Sequence, residues 1–315
     1  MSKIAAFYCK NTSYIYHMLS VAKCGYDNAY GDRYGAYHDA GDLKTLKGWE
    51  DLLSVSGGEH CGALYGLCVG IPASLEGDAF KEYLLALHDL FTTEDQASNL
   101  ARYRSIYETA FAPRGITIHE ASHLVFYQSH RELGTAIVGI TNILLKNMAV
   151  YEDRVWSTCE VELQEVADRL NAQFLAHDYA PQWERAVGCE APQESFCAML
   201  CHGVEGGAQA IDIDHNKHVF GLPKDDEATV DLIYHEFVIY LLKGILQGTE
   251  GFRDFACYEI MESLAEYYNR AVVGGHSHHN WNAKHIEYYK ALQEENPAMG
   301  AKAMFVKAKE AFTHD

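Results

Sequence analysis

The chain has 315 residues, 48 % of them hydrophobic, which is ample for a sizeable core. Its formal net charge of −19 argues against nucleic acid and anionic membrane as main partners and suits neutral or cationic substrates, a peptide or a small molecule. The start, MSKIAAFYCKNTSYIYHML, has no apolar signal-peptide core, and nine scattered cysteines without a C-x-x-C read as reduced thiols, so the expected location is cytoplasmic.

Residues 1–112 read as a mixed N-terminal region. Glycine and tyrosine recur through KCGYDNAYGDRYGAYHDAGD and VSGGEHCGALYGLCVGIP, which predicts loops and short elements. His60 and Cys61 are neighbours in that second stretch, and ordinary packing accounts for them better than a nucleophile–base pair, which must meet in space. A helix is predicted around Asp78 to Phe91, where Phe80, Tyr83, Leu84, Leu87 and Leu90 follow helical spacing.

From residue 113 the sequence reads as mainly helical, with a metal-binding catalytic domain over 113–275 and a helical extension over 276–315. ITIHEASHLVFYQSH and ELGTAIVGITNILLKNM are predicted as two helices joined near Arg131. The apolar run Gly134 to Leu145 is too short to span a bilayer and reads as a buried helix. Ser157 and Glu160 stand at capping-box spacing, which predicts a helix start. In CAMLCH, helical spacing would set Cys197 and Cys201 one turn apart beside His202, although buried free cysteines are commoner than metal pairs. IDIDHNKHVFGLP predicts a short hairpin or extended loop. Its Asp212, Asp214 and Asn216 do not make a calcium loop, because Lys217 replaces the required glycine and Pro223 the bidentate glutamate. ATVDLIYHEFVIYLLKGIL and FACYEIMESLAEYYNRAVV are two further predicted helices, and GGHSHHN reads as an exposed loop. The expected fold class is mainly α (α+β).

The most specific string is His119-Glu120-Ala121-Ser122-His123. On a helix, residues four apart share a face, so His119 and His123 can offer two imidazoles to one cation. Glu120 lies about 100° round the axis, placed to take a proton from a metal-bound water. Two bare histidines and a glutamate would otherwise be costly in the apolar setting of Ile116, Ile118, Leu124, Val125 and Phe126.

This segment resembles the zincin metallopeptidases, whose active helix carries H-E-x-x-H. The metzincin extension is absent, since Phe126 and Ser129 occupy its glycine and third-histidine positions. The resemblance therefore implies a gluzincin-type third ligand, a glutamate from a later helix. MESLAEYYN resembles the segment that supplies that ligand in many gluzincins, which implies Glu262 as ligand and Glu266 as its partner. Glu162 is the other candidate, at the margin of a helix face formed by Leu163, Val166, Leu170 and Phe174. IYHEFVIYLL is similar to a gluzincin helix in which Ile239 stands for the second histidine, leaving His235 and Glu236.

Three accounts of that later pair stay open: the relic of a duplicated metal helix, a contribution of His235 to a shared site with His119, His123 and Glu262, or a structural histidine with Glu262 on a solvated face. The implied function is a zinc-dependent hydrolase attacking a peptide or amide carbonyl, with Glu120 as base and His119, His123 and Glu262 or Glu162 as ligands. The rival is a non-haem iron oxygenase, because Glu120-x-x-His123 and Asp231-x-x-x-His235 also suit an iron–carboxylate centre. An inert helical binding protein is the remaining reading.

Overall fold

The computed structural model describes residues 2–24, 27–50, 75, 77–92, 96–111, 131–191, 195–204, 211–214, 216–251, 255–274 and 282–313. These group into two compact units, one formed by Met1–Phe7, Glu165–Met199 and Gly207–Asp315, the other by Tyr8–Gln164 and Leu200–Gly206. Helices dominate both, as expected for a mainly α chain with a small β component.

Strands β1 (Ile4–Tyr8), β2 (Phe196–Cys201), β3 (Ile211–Asp214) and β4 (Lys217–Gly221), most of whose residues belong to the first of these units, pair in the order β1-β2-β4-β3. The predicted hairpin is β3–β4, antiparallel, with Ile211 opposite Val219 and a bulge between Asp212 and Asp214. Strand β1 lies at an edge, where Asn171 closes it: Ala6 N donates to Asn171 Oδ1 (2.8 Å) and Asn171 Nδ2 donates to Ala6 O (2.9 Å). A side-chain amide thereby replaces the missing neighbouring strand.

Because Cys197 and Cys201 lie on β2, the helical spacing expected for CAMLCH does not hold. At about 3.3 Å per residue they are roughly 13 Å apart along the strand, beyond the reach of one metal ion. Cys197 instead donates to Ser195 O (3.3 Å). The seven described cysteines are all free thiols.

The helices of this unit are α8 (Ala180–Val187), α9 (Asp226–Leu246), α10 (Phe255–Val273), α11 (Ala283–Glu295) and α12 (Ala301–Phe312). Asp225 caps α9 by accepting from Glu227 N (2.9 Å), and acidic Asp226 and Glu227 fill its first turn. Helix α8 has a proline in its first turn and ends at Gly188 (φ +79°), a left-handed position that glycine occupies without strain. Helix α10 packs against α8, α9, α11 and α12. The aromatic centre is Trp183, whose ring lies 5.0 Å from Tyr234 and 5.7 Å from Phe237.

The second unit holds α1 (Lys10–Val21), α2 (Ala29–Tyr34), α3 (Ala40–Gly48), α4 (Asp78–Thr92), α5 (Gln96–Phe111) and α6 (Arg131–Tyr151). Helix α4 follows its expected bounds, and Phe80, Tyr83, Leu84, Leu87 and Leu90 are buried. Helix α6 is the expected buried helix, with Ala136, Ile137, Ile140, Ile143 and Leu144 in the core. Helix α1 lies in a stretch read as loops and short elements, yet most of its residues are buried. A π-helical turn, Glu152–Trp156, leads from α6 straight into α7 (Ser157–Ala176). The capping box at Ser157 therefore does not form. Ser157 is already helical (φ −53°, ψ −26°) and its hydroxyl bonds back to Asp153 O (3.4 Å).

Among the described residues no helix is long and apolar enough to cross a membrane. Residues 112–130, with the first of the two helices expected to meet near Arg131, lie outside the described residues, as do His60, Cys61 and GGHSHHN beyond Gly274.

Trp183→Ala should cost about 3–5 kcal/mol in denaturant unfolding. Leu175→Ala, on a side chain 66 % exposed, should stay within about 0.5 kcal/mol. Equal losses would contradict the assignment of the aromatic centre as this unit's core.

Candidate functional site

The described part of the expected site is a cluster of ionisable side chains between α9 and α10. Helical spacing sets it up: Glu262, Glu266 and Arg270 stand four apart on α10, one above the next, while His235 and Glu236 are adjacent on α9. His235 is fully buried and both its nitrogens are engaged. Nε2 lies 3.0 Å from Glu262 Oε2, and Nδ1 lies 3.1 Å from Glu266 Oε2. Arg270 Nε donates to the other Glu266 oxygen at 2.6 Å.

Glu262 is 4 % exposed and Glu266 fully buried, so the two carboxylates face each other's charge in a poorly hydrated interior. Burial alone would push the His235 imidazole down. The hydrogen bonds it donates to Glu262 and Glu266 outweigh it, with the charge of Glu236 assisting, and hold it up at about 9. At neutral pH His235 is therefore an imidazolium that ties two carboxylates together.

A second pair lies alongside. His218, on β4, places Nδ1 3.0 Å from Glu236 Oε2. Burial raises the Glu236 carboxyl, but the His218 hydrogen bond and the charges of His218, His235 and Lys243 bring it below the ordinary carboxylate range. Tyr258, one turn before Glu262 and 51 % exposed, bonds to Glu262 and has its hydroxyl pKa raised, first by burial and then by that carboxylate. Tyr258 and Glu262 stand at i, i+4 spacing on α10, a signal readable in the sequence.

No protein-family model matches the sequence, and neither curated proteins nor solved structures provide a match. The site therefore stands on its own chemistry.

The structure brings Glu262 and His235 together, and Glu266, expected as a partner of Glu262, instead bonds to the other nitrogen of His235. Asp231 accepts from Asn269 Nδ2 (3.2 Å). Glu162 is exposed on α7. His119, Glu120 and His123 lie outside the described residues.

A zinc site takes three protein ligands, and a metal-bound histidine is oriented by a carboxylate on its other nitrogen. The α9–α10 pair supplies one imidazole, one carboxylate and that orienting carboxylate, but buried Ile239 stands where a second histidine would be. Among the described residues no group of three His, Cys, Asp or Glu side chains is arranged to hold a metal ion. The described set alone therefore does not fit zinc. A proton on His235 occupies the place between the carboxylates.

Removing one partner from such a cluster leaves uncompensated buried charge, so His235→Ala should cost about 3–5 kcal/mol at pH 7. With the folded pKa raised above the unfolded value of about 6.5, the stabilisation by His235 is fully present below that value and is lost as pH rises through about 9. Thermal unfolding at pH 7 and pH 9.5 should show this loss in the wild-type protein and a much smaller one in His235→Ala. An equal alkaline loss in both proteins would contradict the assignment.

Proposed function

We propose that this chain is a metal-dependent hydrolase of zincin type, with His119 and His123 as metal ligands and Glu120 as the base that removes a proton from water. The observation that carries the reading is the His235–Glu262 contact at 3.0 Å. It sets the histidine of one gluzincin-like helix against the glutamate of the next, the relation expected between the first and third ligands of such a site. With Ile239 in place of a second histidine, that helix pair is one ligand short, and HEASH is the string that has both. A bound zinc would supply a water of lowered pKa and polarise the substrate carbonyl. The acidic chain favours neutral or basic peptide substrates over acidic ones.

A second reading has its own support. The α9–α10 cluster is charge-closed by a proton, which is what an inert helical binding protein retaining only the scaffold would contain.

Full-length protein purified without added metal should carry zinc at one equivalent, and His119→Ala or His123→Ala should remove it. Glu120→Gln should keep the metal while peptide hydrolysis falls about 10²–10⁴-fold. Of Glu162→Gln and Glu262→Gln, the one that loses zinc identifies the third ligand. Iron with oxygen consumption would replace hydrolysis by the oxygenase chemistry. Metal-free protein unaffected by His119→Ala would sink the hydrolase and leave the binding protein.

A further inference from the structure

The unit formed by Tyr8–Gln164 and Leu200–Gly206 holds a second set of buried polar side chains, on segments that no sequence motif connects. His17 lies on α1, Tyr30 on α2, His38 just before α3, Asn147 on α6 and His202 just after β2. All five are at least nine-tenths buried. Gly203 allows the last of these to come close: a Cβ there would lie 2.9 Å from His17 N and 3.0 Å from the Tyr16 carbonyl carbon. The Ser20 hydroxyl fastens the approach by donating to Gly203 O.

The contacts form one unbranched chain. Asn147 Oδ1 meets His38 Nδ1 (2.9 Å), His38 Nε2 meets His17 Nε2 (2.7 Å), His17 Nδ1 meets the Tyr30 hydroxyl (2.6 Å), and that hydroxyl meets His202 Nε2 (2.9 Å). At the far end, His202 Nδ1 is buried and has no hydrogen-bond partner among the described residues.

One end of this chain fixes the direction of every proton in it. Asn147 Nδ2 donates to Asp42 Oδ2 (3.1 Å) and to Ile143 O (2.8 Å), so the amide cannot be turned round and its oxygen must face His38. His38 therefore carries its proton on Nδ1, which leaves Nε2 bare. His17 must then donate from Nε2, which leaves its own Nδ1 bare. Tyr30 donates to that nitrogen, and its oxygen accepts from His202 Nε2–H. The remaining atom, His202 Nδ1, is a bare lone pair with nothing to accept from among the described residues. An unsatisfied buried acceptor costs roughly 1–3 kcal/mol, which a protic partner would recover.

We propose that His202 Nδ1 is the base end of a proton relay through Tyr30 and His17 to His38, and that it takes a proton from a small neutral O–H, N–H or S–H group, water being the smallest. The transfer balances at each atom. A proton binds His202 Nδ1, the Nε2 proton of His202 moves to the Tyr30 oxygen, the Tyr30 proton moves to His17 Nδ1, and the His17 Nε2 proton moves to His38 Nε2. The donor is left as its conjugate anion, His38 becomes the imidazolium, the other three groups stay neutral, the net charge is unchanged, and no electron is gained or lost.

The surroundings favour His38 as the resting place of the charge. Burial lowers the pKa of all three histidines, but at His38 the Asn147 hydrogen bond and the Asp42 charge oppose it. His17 is lowered further by His38 and His202 beside it, and His202 is lowered to about 4, by burial first and then by Arg33. Around the relay stand the rings of Tyr34 and Tyr151 near His17 and His202, and Asp42, itself paired with Lys146, near His38.

Nitrogen NMR of the full-length protein, labelled on histidine, distinguishes protonated from bare ring nitrogens. At pH 8 the N–H should sit on Nδ1 of His38 and on Nε2 of His17 and His202. As the pH falls and His38 gains its second proton, His17 and His202 should switch their N–H to Nδ1 with the same midpoint. A merely structural cluster would show no such switch. Tyr30→Phe should uncouple His202 from His38, and Asp42→Asn, at the partly exposed end, should move the shared midpoint to lower pH. The proposal is overturned if His202 carries its proton on Nδ1 at pH 8, if its N–H stays on Nε2 while His38 titrates, or if Asp42→Asn leaves the midpoint unchanged.

Discussion

An imidazole held between two carboxylates, with no surface open to water, is the constraint on which the α9–α10 pair depends. Glu262 and Glu266 stand one turn apart on α10, and two carboxylates at that spacing repel. Without a cation between them neither would remain buried as an anion. His235 supplies the cation from α9, and Arg270 neutralises the outer oxygen of Glu266. With His235 protonated, the charges of His235, Arg270, Glu262 and Glu266 sum to zero, and Glu236 is paired separately with His218 of β4. The helix pair is thus closed electrostatically as well as by packing, and Ile239 adds an apolar residue where a metal-binding helix would carry its second histidine.

The two units solve the problem of buried polar groups in different ways. Between α9 and α10 the polar groups are charged and paired. Among α1, α2, α6 and the turn after β2 they are neutral, and their order is kept by hydrogen-bond direction alone. Desolvation decides both cases. Where carboxylates touch an imidazole its proton is retained, and where only phenols, an amide and other imidazoles surround it the proton is lost.

Much of the fold was legible in the sequence, because α4, α6, α9 and α10 carry apolar residues at helical spacing and β3–β4 alternates before its turn residues. Helix α1 was not, since KNTSYIYHMLSV has too many polar residues to announce a buried face. Its Asn11, His17 and Ser20 are inside only because each finds a distant partner, Asn11 donating to Leu75 O for example. The capping box failed at Ser157 because a π turn carries the helix through it. CAMLC failed as a helix because Phe196 to Cys201 pairs into a sheet, an outcome set by tertiary partners. At the site, Glu262, Glu266 and His235 were singled out only by their resemblance to gluzincin segments, whereas the His17–His38–His202 chain joins residues up to 185 positions apart with no local signal.

Whether a proton or a metal occupies the space between Glu262 and His235 decides how HEASH and the later helices divide the work. The direct test is nitrogen NMR of His235 in full-length protein purified without added metal. The account predicts that both ring nitrogens carry protons at pH 8 and that the imidazolium titrates near pH 9. A neutral ring at pH 8, titrating near the ordinary histidine value, or a metal ion on Nε2, would contradict it.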